Sequence, residues 1–369
     1  MPDVDPLLVS IVIVSYNGRS YIGNCLTSVL DQDLSPDQYE VVVVDNASSD
    51  GSADFVEQHF PQVGLVRLER NNGPIQAAYR VLPQLRGKHL AFLHQDTVVH
   101  RRWLVELLDV LKSHPQAGLV ESNIILPQWP EYNPNDREGF IERAYICDVN
   151  SFCFFEFRTE PVTPKSPPIP ILSAYGPSIL LSQEILKELD FFFDPDFYMH
   201  SDDLDVGLRV NIAGYQALMA PRSVVYHNSD RWHFKWDFRS LSKAFYATRN
   251  IVLVFYQISY TREFLRLLPR VLFGKLLKAG EDANSLVGRL IKALISLPLV
   301  IVCLLLAMCM MPAYRERRKM TLKRRTVEPG WLVERFTNIH WKVDPSIWNQ
   351  SATSPEEGKS ISEVEVTSV

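Results

Sequence analysis

Leu8 to Ser15, LVSIVIVS, is an unbroken apolar, largely β-branched run that stops at Tyr16-Asn17-Gly18. A run of this length without polar alternation is a strand buried on both faces, which needs a parallel sheet with helices on either side. The pattern recurs along the first hundred residues. Tyr39 to Val44 stops at Asp45-Asn46, Val63 to Leu68 precedes the turn Asn71-Asn72-Gly73-Pro74, and His89 to Leu93 stops at His94-Gln95-Asp96. Between and after them the spacing predicts helices over Ser20 to Gln32, Ala53 to Phe60, Ile75 to Leu85 and Trp103 to Ser113. Strands alternating with helices imply an α/β fold, Rossmann-like, with a mostly parallel sheet and helices on both faces. Ligands of such sheets lie at the carboxyl ends of the strands, which is where these polar clusters fall.

A further strand is expected from Gly118 to Ile125. The nine prolines between Pro127 and Pro177 then exclude helix and predict loops and edge strands, the kind of decoration in which acceptor choice resides. Ser182 to Leu189 reads as a capped helix, residues 200–209 open another that ends near Gly214, and Ala217 to Ala220 and Val224 to His227 read as two short strands. Trp232, Phe234, Trp236 and Phe238 alternate with a period of two, which suits a β edge packed on the core.

Charge and cysteine usage remove several function classes. With 38 Lys and Arg against 43 Asp and Glu, the net charge of −5 provides no general attraction to nucleic acid. Five irregularly spaced cysteines fit neither a disulfide framework nor a zinc site and suggest a reducing, cytosol-facing compartment. The first residues lack the features of a signal peptide. No P-loop and no G-x-G-x-x-G follows the first strand, which argues against kinase-like and dinucleotide-dependent chemistry. Among the carboxylates, Asp50 and Asp54 fit helix-capping roles. Asp96 ends an apolar strand on the ligand edge, where it could hold Mg²⁺ or Mn²⁺ against a phosphate. Asp202-Asp203 could supply a base with a raised pKa, or could be an acidic pair at a helix N-terminus.

The segments VSIVIVSYNG, VVVVDNASSDGS, NNGPIQAA, LHQDTVV, AYGPSILLS, FYMHSDDLDVGLRVNIAGY and VVYHNS stand in the order and spacing of family 2 glycosyltransferases with the GT-A fold. The chain resembles the rhamnosyltransferase-like branch that builds bacterial surface polysaccharides, over residues 8 to about 255, and RNIVLVFYQ resembles that branch's continuation. The resemblance implies that Ser15, Tyr16, Asn17, Asp45, Asn72 and Gly73 bind the nucleotide and that Asp96 and His227 hold the divalent cation. It implies that Asp203 is the general base of an inverting transfer and that Asp202 positions the acceptor. Three positions depart from the family pattern. His94 stands where Asp or Asn is usual, leaving Asp96 the only carboxylate of its element and implying a weaker or water-bridged metal site. Tyr79-Arg80 stands where relatives often have asparagine, and Asp202 replaces the usual Glu.

Residues 293–311 carry no charge and, as a helix, extend about 28 Å, enough to cross a bilayer core. Basic residues flank both ends, from Arg262 to Lys292 before and from Arg315 to Arg325 after, so a single crossing would place one cluster on the wrong side. Residues 261–277 mix arginine with leucine in the manner of an interfacial helix. The expected organisation is therefore a catalytic domain over 1–260, membrane-associating helices over 261–325, and an extension over 326–369 that is disordered from about 350. These features predict a glycosyltransferase on the cytoplasmic face of the bacterial inner membrane, attached peripherally, that joins a nucleotide-diphospho-sugar donor to a saccharide or lipid-linked acceptor. Two other readings are a catalytically silent nucleotide-sugar-binding scaffold, suggested by His94, and a nucleotidyltransferase, for which Ser15 to Gly18 supplies no phosphate loop.

Overall fold

The computed structural model describes residues 7–149, 155–189, 191–228, 238–279 and 285–338. The expected aromatic ribbon positions 232, 234 and 236 and the tail from 350 lie outside them.

The first half follows the alternating pattern: β1 (Val9–Ser15), α1 (Ile22–Leu30), β2 (Tyr39–Asp45), α2 (Ser52–His59), β3 (Gly64–Arg67), α3 (Pro74–Tyr79), β4 (His89–His94), β5 (Thr97–Val99), α4 (Trp103–Ser113) and β6 (Ala117–Ile125). β3, β2, β1 and β4 lie side by side and parallel, with Val9 opposite Tyr39 and His89. Their side chains divide between two cores. Val9, Ile11, Ile13, Val41 and Val43 enter the layer with α1, α2 and α4, whereas Val12, Val42 and Val44 face α3 and the later helices. Each such side chain contributes about 1.5–3 kcal/mol of burial, and because both faces are covered, the one polar residue inside β1, Ser10, is tolerated only by bonding Glu40 Oε1 and the Gly87 N–H through its hydroxyl.

Beyond β4 the sheet is mixed. The proline-rich stretch forms the ribbon β7 (Arg143–Val149) with β8 (Phe155–Pro161) and the edge strand β9 (Ile169–Ile171). The chain then returns as β10 (Ser178–Leu181), which inserts antiparallel between β4 and β6. Trp103 fastens this insertion by donating its indole N–H to Ser122 Oγ and Ser178 Oγ at 3.0 and 2.9 Å. After α5 (Gln183–Glu188) and α6 (Asp202–Ile212), β11 (Gln216–His227) runs as a single strand where two are expected. Its register shifts between Ala220 and Val224, so Pro221, which has no N–H to give the ladder, sits in an irregularity without ending the strand.

Five helices complete the described residues. α7 (Phe238–Ile258) is a core helix whose residues Ile251 to Phe255 are buried; position 238, which the alternating aromatics place on a strand, is its first residue. α8 (Thr261–Ala279) and α9 (Leu286–Met310) pack on each other and on α7, and both continue through an internal proline, Pro269 and Pro298. Val300, Cys303 and Ala307 bury one stripe of α9, and Cys303 donates to Phe245 O at 3.7 Å. The other faces remain apolar and exposed, Leu294 by 67%. Among the described residues α9 alone is long and apolar enough to cross a membrane.

The chain then returns to the catalytic body through α10 (Arg315–Arg324) and α11 (Trp331–Asn338). Arg317 bonds Asp194 and Asp196, both at 2.8 Å, and Thr326 donates its N–H to Ile212 O at 2.8 Å. Arg325, buried, reaches both oxygens of Glu263 at 2.6 and 2.7 Å and the carbonyl of Ile258 at 3.1 Å. α8 and α9 thus form a hairpin whose two outer ends are fastened to one body. Replacing Arg325 with Ala leaves buried Glu263 with the Tyr260 and Gly330 N–H groups but without its cation, a loss of up to about 3–5 kcal/mol. The expected outcome is a lower melting temperature with proteolysis beginning within 312–338; an unchanged cleavage pattern would show that the pair does not hold this return.

Candidate active site

The loops that leave β1, β2 and β4 are tied together by amide and carboxyl side chains. Ser15 Oγ and the Tyr16 N–H both donate to Gln95 Oε1, at 2.7 and 3.0 Å, and Gln95 Nε2 returns a bond to Tyr16 O at 3.1 Å. Gly18 leaves room for this amide, since a Cβ there would lie 2.0 Å from Gln95 Oε1. Asn17, in the left-handed region at φ 48°, receives the Ser49 N–H at 2.9 Å and donates its own N–H to Ser48. Asp45 is buried. One of its oxygens accepts the Ser48 N–H at 3.1 Å, while the other has no partner among the described residues. Asn46 Nδ2 donates to Asn71 Oδ1, and Asn46 Oδ1 accepts the Asn72 N–H, each at 3.0 Å. Gly73, at φ 82°, is required by space as well as by backbone, because a Cβ would come within 2.5 Å of Tyr198 O.

The six residues expected to bind the nucleotide therefore line one edge of the sheet. Gln95, Asn46 and Asn71, which hold them there, lie within the polar clusters of the sequence without being marked by it. The available signal is an amide residue directly beside a strand-end aspartate or turn glycine. The departure at Tyr79 proves remote from this edge: its hydroxyl donates to Phe193 O at 2.6 Å and its ring stacks on Phe192 in the core.

Asp96 follows β4 and His227 ends β11, two strands brought near each other by the pairing of β11 with β5. His227 Nε2 lies 3.3 Å from Asp96 Oδ1, and the His94 ring packs edge-on to His227 with centroids 5.3 Å apart. One ligand atom from each of His94, Asp96 and His227 falls within 4.8 Å of the others. Burial opposes ionisation of Asp96, but the His227 hydrogen bond and the neighbouring imidazoles overcome it and hold the carboxyl below its usual value. Desolvation and the His227 charge lower His94, keeping its imidazole neutral, the form that ligates metals. The buried Nδ1 of His227 has no hydrogen-bond partner among the described residues. These donors fit a divalent ion. Asp96 is the only carboxylate of the cluster, as the sequence has it, but His94 contributes a second ring nitrogen instead of leaving a gap. Two imidazoles with one carboxylate suit a transition metal better than Mg²⁺.

Asp202 and Asp203 open α6. Asp203 Oδ2 accepts the Gly176 N–H at 3.2 Å and Oδ1 accepts the Leu204 N–H at 2.8 Å. Burial pushes Asp203 up to about 6 despite these bonds, and burial together with the Asp203 charge pushes Asp202 up to about 8. Two adjacent carboxyls raised in this way titrate as a pair, and the charge of one opposes ionisation of the other. The segment before Gly176 is clamped by two further buried carboxyls: Asp148 accepts the N–H groups of Leu172 and Ser173, and Glu121 accepts that of Tyr175 at 2.6 Å. The Tyr175 ring lies 6.4 Å from that of His227, so residues 175–176 lie between the His94, Asp96 and His227 group and Asp203. Asp205 has a different role, buried against Arg209 at 2.7 Å. Asp50 caps α2 through Ser52, and Asp54 pairs with Arg67.

The sheet, its ligand edge and the opposed acidic helix define a GT-A glycosyltransferase domain. Residues 10–190, about half of the chain, match the model of glycosyl transferase family 2, and the chain belongs to this family. A stretch of 92 residues is 38% identical to TuaG of Bacillus subtilis (strain 168), provisionally named a teichuronic acid biosynthesis glycosyltransferase; it covers 24% of this chain and 36% of that protein. Over 249 residues the chain is 25% identical to the N-acetylglucosaminyl-diphospho-decaprenol L-rhamnosyltransferase of Mycobacterium tuberculosis, covering 62% of this chain and 77% of that one. The match spans about a third of the length of the first relatives, 36% and 33%. Among solved structures, residues 1–349 of Staphylococcus aureus TarS superpose with a TM-score of 0.51 at 17% identity, over 86% of this chain and 89% of that one. GalNAc-T7 with UDP, GalNAc and Mn²⁺ superposes with a TM-score of 0.54 at 19% identity, over 71% of this chain and 49% of that one. These likenesses establish the fold.

If the three donors hold one ion, replacing His94 or His227 with Ala weakens Mn²⁺ binding at least about tenfold, since even the loss of an outer-sphere partner costs that much. Titration of the free-Mn²⁺ electron paramagnetic resonance signal, with UDP present, measures this. Wild-type affinity in both variants would exclude the cluster as the metal site.

Proposed function

We propose that the chain is an inverting glycosyltransferase that moves a sugar from a nucleotide-diphospho-sugar to a hydroxyl of a lipid-linked saccharide acceptor in cell-surface polysaccharide synthesis. The observation that carries this reading is the placement of a carboxylate, Asp203, near the His94, Asp96 and His227 cluster, with Gly176 bonded to the first and the neighbouring Tyr175 ring 6.4 Å from the His227 ring. The relatives named for teichuronic acid biosynthesis and for rhamnosyl transfer to a diphospho-decaprenol support the substrate class.

The roles follow from the geometry. The β1, β2 and α3-side loops hold the nucleotide, with the free oxygen of buried Asp45 turned to a donor on the base. A divalent ion on His94, Asp96 and His227 neutralises charge on the diphosphate leaving group when bound. Asp203 accepts the proton of the acceptor hydroxyl. Its two backbone hydrogen bonds keep it oriented and ionised, and Asp202, protonated beside it, donates to the acceptor instead of repelling Asp203. Attack from the face opposite the diphosphate inverts the anomeric centre.

The hairpin of α8 and α9 supports attachment to the cytoplasmic leaflet without crossing it. A spanning α9 would carry α10 away from the catalytic body, yet Arg317 and Arg318 of α10 bond Asp194 and the Ser259 carbonyl on that body. The outer faces carry Leu265 and Phe273 of α8 and Leu290, Leu294, Ile295 and Ile301 of α9, with Arg262 and Arg266 exposed beside them. Apolar surface flanked by arginine matches an anionic membrane interface.

Asp203→Asn is expected to reduce turnover by about 10²–10⁴-fold while nucleotide-sugar binding with Mn²⁺, read by thermal shift, persists. In the wild type the acid limb of kcat should centre near pH 6, above the ordinary aspartate range, because the raised Asp203 must lose its proton to act as base. Undiminished turnover in the variant removes Asp203 from this role. The protein should float with anionic liposomes, be released by carbonate, and lose flotation in Leu294→Glu/Ile295→Glu; resistance to carbonate would point instead to a spanning helix.

A further inference from the structure

The turn that leads into the acidic pair has a conformation its own residues do not favour. His200 and Ser201 both have φ 65°, in the left-handed region that suits glycine, and neither is glycine. Two such residues in succession persist only where their surroundings fix them. Asn250 of α7 does so: its Nδ2 donates to the carbonyls of both Met199 and His200, each at 2.9 Å. Its Oδ1 accepts from Arg249 Nε and Nη2 at 2.9 and 2.6 Å. Carbonyls only accept and guanidinium only donates, so the partners determine which way this amide faces. Asn250 is fully buried, at 0% exposure, and water cannot take its place.

The turn is bounded on its other side by the nucleotide edge. Tyr198 O blocks any side chain at position 73, and the Tyr198 hydroxyl donates to Asn71 Oδ1 at 3.3 Å. From Ser201, whose carbonyl accepts the Asp205 N–H at 2.9 Å, the chain enters α6 with Asp202 and Asp203 as its first residues.

We infer that Asn250 is a positioning residue for the transfer reaction: by holding the Met199 and His200 carbonyls it fixes the left-handed turn that aims Asp203 into the cleft. This rests on the reading of Asp203 as the base. Asn250 touches no reacting atom. It acts through the backbone, and Arg249 acts through Asn250 by occupying the amide oxygen.

The test compares the full chain in detergent with Asn250→Asp, which keeps the shape but replaces both donors with acceptor oxygens facing carbonyls. Arg249→Met, at a half-buried position, serves as the milder second variant in case Asn250→Asp does not fold. Hydrogen exchange at amides 199–205 should accelerate at least tenfold in Asn250→Asp and less in Arg249→Met, while amides 41–46 of β2 remain unchanged. Turnover should fall at least tenfold, with the affinity for UDP and Mn²⁺ within twofold of wild type. Unchanged exchange at 199–205 in the folded variants overturns the inference, and so does faster exchange with wild-type turnover. A wild type that transfers no sugar counts against the glycosyltransferase reading, and in that case exchange alone decides whether Asn250 holds the turn.

Discussion

Buried carboxyl groups are tolerable only where donors meet them, and this requirement shapes the side of the site that carries Asp203. Glu121, Asp148 and Asp203 lie in or beside the core, and each takes at least one backbone N–H from the stretch between Leu172 and Gly176. The cost of desolvating these acids is offset by fixing a segment that has no secondary structure of its own. The rigidity of the site derives from that exchange. The same stretch leads directly into β10, so the antiparallel insertion in the sheet and the placement of Asp203 draw on one set of hydrogen bonds.

The edge formed by the β1, β2 and β4 loops uses neutral amides instead. Gln95, Asn46 and Asn71 bridge loops from β1, β2 and the α3 turn: Gln95 and Asn46 use both ends of the carboxamide, and the Asn71 oxygen accepts from Asn46, Gly73 and Tyr198. A carboxamide both donates and accepts, so it can join two backbone groups of opposite kind and leave the charged residues, Asp45 and Asp96, available to a ligand. The division is chemically sensible: charge is concentrated where a phosphate or a base is to be met, and neutral groups do the fastening.

Much of this is legible in the sequence because periodicity and position carry it. The run from Leu8 to Ser15 and its repeats define parallel strands, and strand ends define the ligand edge, so the pattern of residues alone groups Ser15, Asp45 and Asp96. His94 is visible as a departure, but reading it as a lost carboxylate overlooks the nitrogen it supplies, and only the proximity of His227 reveals the substitution. Asn250 has no comparable signal: an asparagine in an apolar helix gives no indication of which distant carbonyls it reaches. The continuity of β11 is hidden because Pro221 usually ends a strand, whereas here the partner register shifts to accommodate it. The helical character of α7 is obscured by the aromatic alternation that precedes it.

The return of the chain after α9 has a consequence for how the molecule is made. Arg325 and Thr326 fasten onto Ile258, Glu263 and Ile212, so the segment that completes the catalytic body is synthesised after the apolar hairpin. On the ribosome, the sheet and α7 emerge first, then α8 and α9 with their exposed apolar faces, and last the residues that fasten the far end of the hairpin. The apolar hairpin is therefore complete before the contacts that hold it to the body can form, and those contacts are among the last parts of the described fold that synthesis supplies.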